Sequence, residues 1–140
     1  MEPYYQKGAI SIYHGDALEV LPQLEGTEAD LLITDPPYSS GGNFRGDRIG
    51  STKKKYVQTG SEAHELLHDF NGDTLDQWAY LHWASIWLRL SRLAVKPTAI
   101  IGLFTDWRQL PVTSPAFQMG GGIWRGIFVW DKGPAARSMS

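Results

Sequence analysis

Nine consecutive residues, Asp30-Leu31-Leu32-Ile33-Thr34-Asp35-Pro36-Pro37-Tyr38, constrain this chain more than any other feature. Leu31, Leu32 and Ile33 form an uninterrupted apolar run, the pattern of a strand buried on both faces of an α/β sheet. Pro36 and Pro37 cannot continue that strand, because neither has an N–H to donate and both have fixed φ. Asp35 is held extended by the proline after it. The carboxylate and the Tyr38 ring are therefore expected at the carboxyl end of a central strand, where open α/β sheets place their ligand sites.

The chain in order extends this pattern. Ala9 to Tyr13 reads as a short strand ending at His14-Gly15-Asp16, and Ala17 to Leu24 as a short helix interrupted by Pro22. With the strand from Asp30 to Thr34 this gives strand, helix, strand, which predicts a parallel βαβ unit with Asp16 and Asp35 on one rim. Thr74 to Val95 is the clearest helix. Its apolar stripe is Leu75, Trp78, Ala79, His82, Trp83, Ile86, Trp87, Leu90, Leu93 and Ala94, which places its three tryptophans in the core. Thr74 and Gln77 fit a capping box, with Asp73 as a competing cap, and Lys96-Pro97 closes the helix. Thr98 to Phe104 is a second buried strand, ending at Thr105-Asp106-Trp107. Arg108 to Met119 is weakly helical, and a last strand is expected from Ile123 to Trp130. The order implies an α/β fold of three layers, mostly parallel strands with helices on both faces.

Composition narrows the function. The chain has 140 residues, one domain or part of one, and 42% are hydrophobic, enough for a core. A net charge of −2 gives no global sign of nucleic-acid binding. From Gly42 to Gln58, however, five cations (Arg45, Arg48, Lys53, Lys54 and Lys55) face the single anion Asp47. They lie in an irregular, glycine-rich stretch, 39–60, expected to be a mobile loop that contacts phosphates. No cysteine occurs, which excludes disulfides and thiolate metal sites. The first residues lack the pattern of a signal peptide, and no run approaches the length of a membrane span. A soluble, cytoplasmic protein without a membrane partner is the expectation.

The Asp-Pro-Pro-Tyr turn has a definite chemistry. With two N–H donors removed, it presents acceptors: the Asp35 carboxylate and the carbonyls of Asp35 and Pro36. Tyr38 adds a flat ring. The complement is a planar substrate carrying an –NH2 group. Accepting its hydrogens in fixed, non-planar geometry favours the pyramidal nitrogen, whose lone pair can attack.

This stretch resembles the motif of amino-group DNA methyltransferases, which modify adenine N6 or cytosine N4 with S-adenosylmethionine. His14-Gly15-Asp16-Ala17-Leu18-Glu19 is similar to that family's Gly-Asp segment. The strands ending Phe104-Thr105-Asp106 and Val129-Trp130-Asp131-Lys132 are similar in order and spacing, so the likeness runs from about Ile10 to Lys132. It implies a partial Rossmann-like methyltransferase sheet and a target base flipped out of DNA onto Tyr38. Asp35, Pro36, Pro37 and Tyr38 are then catalytic, and Asp16 lies near the cofactor's adenine. Asp at the first motif position is more like the adenine enzymes. The family's glycine-rich Phe-x-Gly-x-Gly cofactor loop and its target-recognition region are not found. The chain thus resembles the N-terminal, catalytic-motif half of a subgroup in which those parts come later, with a C-terminal half or a partner subunit still required.

Other readings compete. His64-Glu65-Leu66-Leu67-His68 matches the H-E-x-x-H pattern of zinc peptidases, but no later glutamate exists, and Thr74 stands where the extended pattern places a third histidine. A polar helical turn is the preferred reading, and no metal site is expected. A methyltransferase remnant that binds DNA or a partner without catalysis is the main alternative. An enzyme acting on RNA or a protein amide is a further one.

Overall fold

The computed structural model describes residues 1–38 and 73–131. The expected loop 39–60 with its five cations, and the H-E-x-x-H segment, lie outside the described residues.

The chain opens with a hairpin of β1 (Tyr5–Lys7) and β2 (Ile10–Ile12), paired antiparallel with Lys7 opposite Ile10. Gly8 turns it with φ +58, the conformation that a two-residue loop with glycine first requires. Then come α1 (Ala17–Val20) and a 3-10 turn (Leu21–Leu24) that accommodates Pro22 at its start, where no N–H is needed. The expected βαβ unit is therefore not formed from these strands. β2 pairs with β1, and β3 (Ala29–Thr34) pairs instead, in parallel, with β4 (Val95–Leu103). Tyr5-Gln6-Lys7 has no apolar run, so its strand is visible only through its partner.

The crossover from β3 to β4 includes α2 (Gln77–Ser91), which passes through a 3-10 turn (Arg92–Ala94) directly into β4. Two details differ from expectation. Asp76 is the cap, its Oδ1 accepting from Gln77 N at 2.8 Å, and Thr74 lies outside the helix. Lys96 and Pro97 belong to the strand rather than closing the helix. Pro97 is tolerated because the β3–β4 register shifts between Ala29 and Leu31, so the ladder is already irregular beside it. Lys96 Nζ bonds the Asp30 carboxylate there at 2.7 Å, on the surface.

The buried face of α2 is also rotated from the expected stripe. It consists of Tyr80, Ala84, Trp87, Leu88 and Ser91. Trp83 is half-buried, and its ring lies 5.8 Å from those of both Tyr80 and Trp87. Trp78 is 79% exposed. It precedes Tyr80 by two residues, about 200° around the helix.

α3 (Leu110–Met119) takes Pro111 in its first turn and packs Val112, Ala116 and Phe117 against α2. Ile101 and Leu103 of β4 meet this same core, so the helices cover one face of the sheet. The other face carries Leu31, Ile33 and Ile100 at 54%, 65% and 71% exposure. Among the described residues the sheet thus has two strands and one helical layer, compatible with an α/β fold, where three layers were expected. The run Leu31–Ile33 is apolar on both sides, but only one is covered. The strand expected at 123–130 does not form; Phe128 and Val129 stand almost wholly in solvent. No helix among the described residues is long and apolar enough to cross a membrane.

The end of α3 comes very close to α2 at Gly120. A Cβ there would lie 2.7 Å from Leu88 Cβ and 3.1 Å from the Arg89 nitrogen, so helix backbone would have to separate. Gly120→Ala is expected to cost about 1–3 kcal/mol, the usual penalty of overpacking. It would be read as a lower urea midpoint at unchanged slope, and an unchanged midpoint would contradict this close approach.

Candidate functional site

The site lies beyond the carboxyl ends of β3 and β4. Thr34 pairs with Leu103, and one more hydrogen bond, Phe104 N to Thr34 O at 2.9 Å, keeps the strands in step past that point. Asp35 follows at once and is exposed, Pro36 is buried, and Pro37 and Tyr38 are half-buried. The prolines end the ladder and swing the chain over the helical layer, so that the Tyr38 ring packs against the core cluster containing Tyr80 and Trp87.

Tyr38 is the electrostatic centre of the group. Burial pushes its hydroxyl pKa up, and the charges of Asp35, Asp106 and Asp73 push it further. The Asp35 carboxylate close to that hydroxyl favours its protonated form. Tyr38 therefore remains a neutral donor at ordinary pH, and an ionised Asp35 would keep acceptor sites to spare.

Asp106, at the end of β4, is occupied structurally. Its Oδ1 accepts from Arg108 N at 3.1 Å and Gln109 N at 2.9 Å, and its Oδ2 lies 3.9 Å from Arg108 Nη1. Two glutamines then tie this turn to the start of α2. Gln109 Nε2 donates to Leu75 O at 3.2 Å, and Gln77 Nε2 donates to Arg108 O at 2.8 Å. The turn after β4 is thereby fixed to the start of α2.

Asp16 is placed differently from expectation. It caps α1, its Oδ1 accepting from Leu18 N at 2.8 Å, and the hairpin strand before it is not part of the β3–β4 sheet. Arg45, Arg48, Lys53, Lys54 and Lys55 lie outside the described residues. The acceptor turn and its ring are brought together; Asp16 is not seen to join them.

Sequence reasoning missed Tyr80, Thr113 and the glutamine pair. Tyr80 is fully buried, its hydroxyl has no closed hydrogen bond, and its pKa is pushed up to about 12, mainly by burial. Thr113 Oγ1 stands beside it, already bonded to Gln109 O at 2.8 Å and to Thr105 Oγ1 at 3.0 Å. The signal for Tyr80 was its i, i+4, i+7 and i+8 spacing to Ala84, Trp87 and Leu88. Gln77 enters the sequence pattern only as part of a capping box, and nothing in the sequence marks its bond to Arg108 or that of Gln109 to Leu75.

The described residues do not by themselves make a cradle for S-adenosylmethionine. No glycine loop follows β3 or β4 among them, and Asp16 has one oxygen committed to its cap.

Comparison with known proteins finds Type II methyltransferases. The chain is similar to the Type II methyltransferase M2.LlaDCHI of Lactococcus lactis subsp. cremoris, 27% identical over 143 aligned residues, covering 99% of this chain and 48% of the relative. It is similar to the Type II methyltransferase M2.DpnII of Streptococcus pneumoniae at 24% identity over the same shares of each chain. A shorter match, 40% identical over 45 residues, covers 32% of this chain and 15% of the Type II methyltransferase M.ScaI of Streptomyces caespitosus. No family model and no solved structure matches. The chain spans about half the length of the two relatives it matches throughout (48% of each). Similarity along nearly all of its own length supports a methyltransferase relationship of this type.

Proposed function

We propose that this chain is the catalytic-motif half of a site-specific DNA methyltransferase that transfers a methyl group from S-adenosylmethionine to the N6 amino group of a flipped adenine. The observation that carries this reading is the Asp35–Tyr38 turn. An exposed carboxylate, a donor-free proline pair and a half-buried ring stand together past the end of a parallel strand. The similarity to Type II methyltransferases supports the same reaction class.

In this reading the base stacks on Tyr38, and its amino hydrogens are received by the Asp35 carboxylate and the Pro36 carbonyl. Holding those hydrogens out of the ring plane makes the nitrogen lone pair available. S-adenosylmethionine supplies the electrophilic methyl group. Its cradle belongs to a further half or to a partner subunit, in keeping with the relatives' greater length. The cations from Arg45 to Lys55 would hold phosphates without reading sequence.

The test is product analysis. The chain, joined to the half or partner subunit that carries the cofactor cradle, is incubated with unmethylated plasmid DNA and labelled S-adenosylmethionine, and the digested nucleosides are resolved by mass spectrometry. N6-methyladenine is expected. N4-methylcytosine would reassign the base, and label confined to RNA or protein amides would overturn the assignment to DNA. A second reading is favoured by the lack of a glycine loop among the described residues: a non-catalytic module that binds DNA or a partner. DNA binding without methylated product from any longer form would identify it.

A further inference from the structure

Trp107 is 68% exposed, although an indole ring is among the most favourable side chains to bury. Its position is not arbitrary. Thr34 and Leu103 are paired neighbours on parallel strands, about 4.8 Å apart. Tyr38 follows Thr34 by four residues, and Trp107 follows Leu103 by four. Both aromatic residues thus lie just past the carboxyl ends of adjacent parallel strands, and the charge of Asp106, next to Trp107, is felt at the Tyr38 hydroxyl.

The ring is also held. The Arg108 guanidinium carbon lies 5.1 Å from the Trp107 ring centre, within cation–π range. Arg108 is fixed in turn: Nη1 approaches Asp106 Oδ2 at 3.9 Å, its own N–H bonds Asp106 Oδ1, and its carbonyl accepts from Gln77. One side of the indole is backed by an anchored cation, and solvent reaches the rest. Trp78 is as exposed, but among the described residues it has no ring or cation contact and lies on the outer face of α2. Exposure alone therefore does not distinguish Trp107; the anchored backing does, together with its place past the strand paired with the one that Tyr38 follows.

We propose that Trp107, backed by Arg108, is a stacking platform for a nucleic-acid base next to the Tyr38 site. This rests on the DNA reading above and adds a second ring to it. A cation behind the indole favours stacking of any base, since every base presents a π-face.

The experiment is anisotropy of the whole chain with a labelled single strand and with an abasic strand of the same length. Trp107→Ala is expected to weaken binding of the base-bearing strand about tenfold. Trp107→Phe should keep most of the affinity, and Trp78→Ala should bind as the parent. The abasic strand should bind parent and Trp107→Ala alike, because only phosphate contacts remain. Equal affinity of Trp107→Ala for the base-bearing strand overturns the proposal, as does an equal loss on the abasic strand. So does a loss confined to S-adenosylmethionine, measured by calorimetry, which would assign the ring to the cofactor. The binding contrast can survive even if no methylated base forms, so failure of the reaction and failure of the platform are distinguishable.

Discussion

Asp35→Ala is expected to lower methyl transfer at least a hundredfold while leaving folding almost untouched. The rate term follows from the chemistry. One preorganised polar group aimed at a reacting centre contributes on the order of 10² to 10³ in rate. Asp35 is also the only acceptor on the turn that carries a charge. The stability term follows from the structure. Asp35 is exposed, caps no helix and pairs with no cation among the described residues, and such surface changes usually stay within about 0.5 kcal/mol. Asp35→Asn keeps one acceptor oxygen but turns donors toward an amino group that needs acceptors, so it should fall between. A readout independent of activity exists. Asp35 adds to the rise that burial gives the Tyr38 pKa, so its removal should bring Tyr38 part of the way down toward the ordinary tyrosine range in an ultraviolet or NMR titration. Full activity in Asp35→Ala would sink the acceptor mechanism, and an unmoved Tyr38 titration would sink the geometry.

The part of this site that was legible is the part fixed by covalent structure. Two prolines after Ile33-Thr34 must end a strand wherever it lies, and β3 ends at Thr34. What surrounds that turn depends on tertiary contacts. The buried face of α2 was misplaced because tryptophans outweighed Tyr80, Ala84 and Leu88, the residues that α3 actually covers. Pro97 has the sequence form of a helix breaker, but φ near that of proline also suits an irregular strand, and only the β3 register shows the bulge. A place for Asp16 on the sheet rim rests on one short apolar run. Its preceding strand found an antiparallel partner in Tyr5-Gln6-Lys7 instead. Ile123 to Trp130 has strand composition but no paired strand among the described residues; its contacts there are ring contacts, Trp124 with Phe117 and Trp130 with Phe104. A strand needs a ladder, so propensity alone left it extended and exposed.

Tyr80→Ala is expected to cost about 3–5 kcal/mol, as for other large aromatic truncations in a core, and to loosen the platform under Tyr38. Tyr80 is completely buried in the cluster against which the Tyr38 ring packs. Tyr80→Phe should behave in the opposite way. The hydroxyl it deletes has no closed hydrogen bond, so its burial is uncompensated, and the variant should gain roughly 1 kcal/mol. Alkaline pH separates the two effects. Burial raises the Tyr80 pKa to about 12, whereas the unfolded chain ionises near 10.0. Above the lower value the unfolded state binds fewer protons than the native state, so stability falls as pH rises, by about 3 kcal/mol once the higher value is reached. Below pH 9 this contribution is fully present. Chemical denaturation at pH 8 and pH 11 should therefore show a steeper loss for the parent than for Tyr80→Phe, which has no such proton to release. A variant as steep as the parent, or one destabilised at pH 8 by more than 1 kcal/mol, would mean that this hydroxyl has a partner. Methyl transfer by Tyr80→Phe should stay near the parent's, because what Tyr80 gives the site is the volume beneath Tyr38 rather than its oxygen.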